Sequence, residues 1–259
     1  VENTLSRIIT VANQKGGVGK TTTVANLGAA LAMLDKRVLL IDLDPQSALT
    51  ASFGIDPYEL SHTTASVLLS DKMPLSRILR PAGSGGRLAL APGGIDLAAA
   101  EVQLAALPDR TRRLAQALAR TRVPFDYVLI DTPPSLGLLT INALVAAKEV
   151  LVPVQCHYLA MRGVRALMET VWRVKRRLNP NLKLLGLLPT LYEENSQHAE
   201  EVLEELRTVF KQKVFDVVIK DSIGFAETPV AHRTLVDSAP RHDGALAYLM
   251  LAEEITGHG

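Results

Sequence analysis

One cysteine, Cys156, stands in a chain of 259 residues, so no internal disulfide can staple the fold. That usage fits a reducing compartment, and it excludes any site that needs two or more thiolates. Aromatic residues make up 4% of the chain, with a single Trp, so the core must be built from Leu, Val, Ile and Ala. No apolar run reaches the roughly 18 residues that span a bilayer, and no secretory leader is legible. The expectation is a protein that is neither membrane-spanning nor exported by that route. Net charge is +1. Any attraction to nucleic acid must therefore come from a local patch, because the whole molecule exerts no such pull. Internal repeats and low-complexity linkers are also missing, so residues 1–259 are expected to form one domain.

What is present is alternation. Short β-branched runs at 7–13, 37–42, 87–93, 127–134, 149–155, 182–190 and 214–219 read as strands. Several are apolar almost throughout, as strands covered on both faces must be. Between them, apolar residues recur at helical spacing, as in Val164, Leu167, Met168, Val171 and Leu178, or Val202, Leu203, Leu206, Val209 and Phe210. The order predicts an α/β fold, a mostly parallel twisted sheet with helices on both faces. Residues 50–86, rich in Gly and Pro, are expected to be an irregular insertion of short helices and loops.

The chemistry sits in three places. "VANQKGGVGKTTT" spans 11–23 between a strand and a helix. Gly16, Gly17, Val18 and Gly19 can turn backbone N–H groups towards phosphate oxygens at a helix N-terminus. Lys20 is expected to reach the β- and γ-phosphates, Thr21 to ligate Mg²⁺ and Thr22 to extend the phosphate cradle. The usual phosphate loop would have glycine at position 14; here it is Gln14, and an extra lysine, Lys15, follows. "YVLIDTPPS" puts Asp131 at the end of an apolar strand, where a Walker B aspartate holds Mg²⁺ through water, with Pro133 beside it. "LLIDLDPQ" ends a second strand with Asp42 and Asp44 on one face. Asp42 is expected in the metal shell, and Asp44 as the group that orients or deprotonates water.

These segments in this order resemble the deviant-Walker ATPases. "NQKGGVGKTTTVANL", "VPVQCHYLAMRGV" and "RLNPNLKLLG" resemble the ParA/Soj branch, which partitions plasmids and chromosomes. The resemblance runs over about 7–256 and implies a P-loop NTPase fold with ATP and Mg²⁺ as cofactors. It implies that Lys15 crosses a two-fold interface to the partner subunit's phosphates, so that dimerisation reads ATP over ADP. It further implies slow basal hydrolysis, stimulation by a ParB-type centromere-binding partner, and a cytoplasmic, nucleoid-associated homodimer that binds DNA without sequence preference. Base recognition is expected near Thr190 and Ile219.

DNA binding needs Lys and Arg at phosphate spacing. Residues 162–183 carry seven basic side chains against one acid, Glu169, and Arg173, Arg176 and Arg177 can share an outer helix face. Three arginines of the family are nevertheless missing. Asn195 stands in the place of one, and Asp221 and Gly224 replace others, while Glu227 and Pro229 are kept. Lys211, Lys213, Lys220, Arg233 and the 173–177 cluster are the expected substitutes. The alternative is an ATP-dependent positioning switch for a cargo other than DNA. A membrane-bound MinD-like protein would end in a basic amphipathic helix, whereas this chain ends "LAYLMLAEEITGHG". A nitrogenase iron protein would need two cluster cysteines.

Overall fold

A computed structural model describes residues 6–83, 85–121, 124–157, 160–222, 224–225 and 232–257. Its strands are β1 (Arg7–Val11), β2 (Val38–Asp42), β3 (Arg80–Ala82), β4 (Leu88–Ala91), β5 (Tyr127–Asp131), β6 (Glu149–Gln155) and β7 (Lys183–Thr190). The helices are α1 (Lys20–Met33), α2 (Ala48–Ser52), α3 (Thr64–Leu69), α4 (Asp96–Leu104), α5 (Arg113–Arg120), α6 (Leu138–Ala146), α7 (Ala160–Arg177), α8 (Gln197–Phe210), α9 (Leu235–Ser238) and α10 (Asp243–Gly257). Short 3₁₀ turns lie at Leu75–Arg77 and Lys211–Lys213. The sheet order is β3-β4-β2-β5-β1-β6-β7, parallel throughout except for β3.

Alternation along each strand sends neighbouring residues to opposite faces. Val38 and Leu40 join a core with Val24, Leu27 and Leu31 of α1 and with Tyr248, Leu251 and Ile255 of α10. Leu39 and Ile41 join the other face, under α3 to α6. The β6–β7 side of that face packs beneath α7 and α8 through Val164, Leu167, Val171, Val202 and Leu206. Helices therefore cover both faces, as the apolar strands require.

Two expectations need correction. Residues 80–82, placed in the irregular insertion, form an antiparallel edge strand on β4, with Pro81 where an unpaired edge tolerates it. Residues 214–219, read as a strand, make only one isolated bridge to β7, Val214 with Leu187; a second, Lys220 with Tyr192, lies beyond both. Phe215 N–H donates to Leu187 O and Ile219 N–H to Pro189 O, both at 2.9 Å. The segment advances four residues while β7 advances two, so it bulges, and Pro189 has no N–H to return to it. The burial pattern was still legible, since Phe215, Val217 and Ile219 are all buried.

The phosphate-loop helix is bolted to the C-terminal elements. Asn26, 2% exposed, accepts the backbone N–H of Leu235 (2.9 Å) and Val236 (3.3 Å) and donates to Thr22 O. Thr23 and Tyr248 share a buried hydroxyl contact of 3.1 Å. Asn26→Ala leaves two buried N–H groups unsatisfied and should cost about 1–3 kcal/mol, seen as a lower urea midpoint with an unchanged slope.

Candidate functional site

The carboxyl ends of β1, β2 and β5 converge, and three loops leave them side by side. The parallel register sets Val11 against Asp131 and Asp42 against Asp131, which fixes the acids next to the glycine turn. Thr132 locks the arrangement by donating its hydroxyl to Val11 O at 2.9 Å.

The turn after β1 needs its glycines. Gly17 (φ 71°) and Gly19 (φ 82°) lie in the left-handed region, which a side chain resists. Among the described residues, the N–H groups of Lys20, Thr21 and Thr22 meet no acceptor. They open the 14-residue α1 as an anion-binding end. Gln14, Lys15, Gly16 and Gly17 form its exposed crest, and Val18 is buried beneath. Thr190 donates to Val18 O at 2.9 Å, so it braces the loop from below. Thr190 and Ile219, near which base recognition is expected, are both buried.

The two lysines face different ways. Lys20 is 6% exposed, and its Nζ lies 3.3 Å from Lys15 O. Burial pushes its pKa down, against the pull of Asp131 and Asp44. Lys15 is exposed on the opposite side of the turn, its Nζ 2.6 Å from Gln155 Oε1 at the end of β6. Asn13 supports that posture: its Oδ1 accepts Lys15 N–H, and its Nδ2 donates to Pro153 O.

The acids divide their work. The Thr21 hydroxyl donates to Asp131 Oδ2 at 2.7 Å. Asp131 is fully buried, and its pKa is raised well above the usual carboxylate value by desolvation first and Asp42 second; Thr21 and Lys20 oppose the rise. Asp42 is pushed up to about 6, chiefly by desolvation. Asp42 is also tied to the chain itself. Its Oδ1 accepts Asp44 N–H, and its Oδ2 accepts the N–H and hydroxyl of Thr50 at 2.9 and 2.6 Å. Asp44, 8% exposed, accepts Gln46 N–H through Oδ1 at 2.9 Å and is the least committed of the three. Pro133 is buried, and it is Pro134 whose Cβ lies 3.9 Å from where a Gly16 Cβ would stand. Of the supporting residues, Asn13 and Gln155 lie within segments that resemble the family but had no role there; their contacts, and that of Thr50, only tertiary structure reveals.

The donor set suits Mg²⁺. A hydroxyl and a carboxylate are hard oxygen donors, and three acids against one buried ammonium leave negative charge to be neutralised. Among the described residues no three His, Cys, Asp or Glu side chains form a cage of their own. That is the pattern of an ion held by one carboxylate together with substrate phosphates.

The basic residues expected to meet DNA lie away from this site. Arg173, Lys175, Arg176 and Arg177 are exposed on the last turns of α7, just before the start of β7. Lys211 and Lys213 are exposed in the 3₁₀ turn packed against β7, where a Cβ on Gly186 would lie 3.1 Å from Lys213 O. Arg173 is 3.6 Å from Glu169, and Lys220 pairs with Glu194 at 2.6 Å. Arg233 is exposed. Glu227 and Pro229 lie outside the described residues.

The family described as AAA domain matches residues 6–184. The Soj sporulation initiation inhibitor protein of Bacillus subtilis is 40% identical over 98% of this chain and 100% of its own. The chromosome partitioning protein ParA of Myxococcus xanthus is 41% identical over 97% and 88%. Among solved structures, a Mycobacterium smegmatis protein named cobyrinic acid a,c-diamide synthase, with a bound ATP analogue and magnesium, is 42% identical. It superposes with a TM-score of 0.86, covering 98% of this chain and 96% of that one. The septum site-determining protein MinD of Pyrococcus horikoshii, complexed with Mg-ADP, shares the fold at 24% identity, with a TM-score of 0.77 over 97% and 96% of the chains.

Two raised carboxylates make the ligand-free protein less stable when they ionise. Asp42 contributes most below its unfolded pKa, and that contribution is lost as pH rises through about 6. The thermal midpoint without Mg²⁺ should therefore rise on acidification from pH 8 towards 6. Asp131→Asn should flatten that slope and raise the midpoint at neutral pH, by about 2–4 °C per kcal/mol relieved. The same variant should lose Mg²⁺-dependent nucleotide binding, read by fluorescence titration.

Proposed function

The chain belongs to the ParA/Soj family of partitioning P-loop ATPases, and on that footing we propose that it is a nucleotide-gated switch that segregates DNA. ATP and Mg²⁺ are its cofactors, supplying a phosphoanhydride to cleave and the cation that offsets the acid cluster. Lys20 and the free N–H groups at the start of α1 bind the phosphates. Thr21 and Asp131 hold the metal. Asp44, the carboxylate with least to do in the fold, orients the attacking water. Among the described residues no arginine pairs with Asp42, Asp44 or Asp131, so transition-state charge is left partly unattended and basal turnover is slow.

The observation that carries the reading is the opposed placement of the two lysines. Lys20 is buried against its own site, while Lys15 stands exposed on a neutral amide oxygen. A lysine held there is placed to meet phosphates brought by a second copy. That contact is complete only with the γ-phosphate present, so the dimer forms with ATP and falls apart after hydrolysis. A ParB-type partner accelerates that step and releases the DNA.

The DNA surface is the basic end around the start of β7: Lys175, Arg176, Arg177, Lys211 and Lys213, with Arg173 alongside. Lys220, paired with Glu194 on the surface, and the exposed Arg233 can extend it. A second reading, positioning a cargo other than DNA, draws on the missing arginines at Asn195, Asp221 and Gly224. The name of the M. smegmatis structure does not transfer. The one thiol, Cys156, is buried with its pKa pushed up to about 11, a poor nucleophile for the amide transfer that name implies.

Light scattering in the presence of each nucleotide separates the roles. Lys20→Ala should lose ATP binding, Lys15→Gln should bind ATP but remain monomeric, and Asp44→Ala should form a lasting dimer without turnover. A Lys15→Gln protein that dimerises like the wild type would remove the central support. Retention on non-specific duplex DNA with ATP should fall steeply with salt, and Arg176→Glu/Arg177→Glu should weaken it at least tenfold and flatten the slope. Weak, salt-insensitive retention by the wild type would favour the other cargo.

A further inference from the structure

Beside the glycine turn, on the side away from the acids, lies a cavity of ≈ 340 Å³. Lys15, Asn13 and Val18 form one wall, and Val154, Gln155 and Arg162 form the other. Its lining includes two cations and no acid, and it includes none of Lys20, Thr21, Asp44 and Asp131, the residues around the chain's own phosphates. Arg162 is exposed on the first turn of α7, so its guanidinium is free to move into the space.

We propose that this cavity is an anion site for the nucleotide held by a second copy of the chain, and that Arg162 is a second cation, beside Lys15, that clasps its phosphates across the interface. The inference rests on the ATP-dependent dimer proposed above and adds a residue that the phosphate-loop signature does not contain.

Charge supplies the first reason. The chain's own site gathers three carboxylates, Asp42, Asp44 and Asp131, at the start of α1, where Lys20 is the buried cation. A triphosphate adds several negative charges, and one bound Mg²⁺ removes two. Two such centres approaching face to face repel each other, and one lysine from each side offsets little of that. A guanidinium offers planar, bidentate hydrogen bonds to phosphate oxygens that a lysine cannot match.

Position supplies the second. Lys15 and Arg162 share a cavity on the exposed side of the turn, whereas Lys20 and the acids lie on the other. An isologous two-fold contact over this crest carries both cations of each copy to the other copy's nucleotide. Lys15 meanwhile waits on Gln155 Oε1 at 2.6 Å, a neutral acceptor that a phosphate would displace with a stronger, charge-assisted bond.

The full chain is tested with Mg²⁺ and a non-hydrolysable ATP analogue. Dimerisation is read by light scattering against protein concentration, and nucleotide affinity by fluorescence at concentrations too low for dimers. Arg162→Ala should raise the concentration for half-dimerisation about tenfold, and Arg162→Lys should raise it about threefold, because the charge is kept and the bidentate fork is lost. Both should bind nucleotide as monomers with wild-type affinity. Dimerisation of Arg162→Ala at the wild-type concentration would overturn the assignment. So would weaker nucleotide binding by its monomer, which would place Arg162 on its own ligand. A wild-type chain that stays monomeric with the analogue would instead overturn the dimer itself, and this inference with it.

Discussion

Three carboxylates at the ends of adjacent strands face one buried ammonium, and that imbalance governs the molecule. Asp42 and Asp131 are paired residues in the β2–β5 register, both without solvent. Water is too far away to solvate them, so burial drives their pKa values up. The fold holds the pair in place with hydrogen bonds from Thr50, Thr21 and the Thr132 N–H, besides the charge of Lys20. A site built this way is strained when empty and relieved when a divalent cation arrives with a polyphosphate. Stability is given up at the place where ligand binding restores it.

The same arrangement assigns distinct tasks to residues that look equivalent in the chain. Asp42 and Asp44 are two positions apart, yet one is fastened to the loop that carries the other. Lys15 and Lys20 are five positions apart, yet one serves the interior and the other the outer crest. The division follows from backbone geometry. Left-handed glycines at 17 and 19 reverse the chain between the two lysines, and Pro45 ends the excursion that began at Asp44.

Nucleotide site and basic end occupy opposite ends of the sheet. The phosphate loop lies at the carboxyl ends of the strands. The α7 terminus and the Lys211–Lys213 turn gather at the start of β7. Parallel strands force this separation, because every helix returns the chain to the amino end before the next strand begins. A surface at the basic end can therefore hold a long polyanion without obstructing the crest where two copies would meet. α1 links the loop to the C-terminal helices through Asn26 and Tyr248, which gives the nucleotide a mechanical connection beyond its own pocket.

Much of this was legible in the residues. Apolar runs gave six of the seven strands, because a strand covered on both faces can hardly be encoded otherwise. GKT after a strand, with an aspartate closing another, singled out residues that the structure brings together, because that chemistry tolerates few substitutes at fixed spacing. Periodicity failed where backbone hydrogen bonding decided the outcome. Residues 214–219 alternate like a strand, but Pro189 and a two-residue bulge deny them a ladder, and Arg80–Ala82 became a strand only because β4 offered an edge. The sequence by itself determined the fold class and named the candidate reacting groups, since both depend on side-chain type at set intervals. Only tertiary structure decided that Asp42 braces a loop, that Thr190 supports the turn from beneath, and that Arg162 shares a cavity with Lys15. Those roles depend on distances between segments far apart in the chain, which no local pattern records.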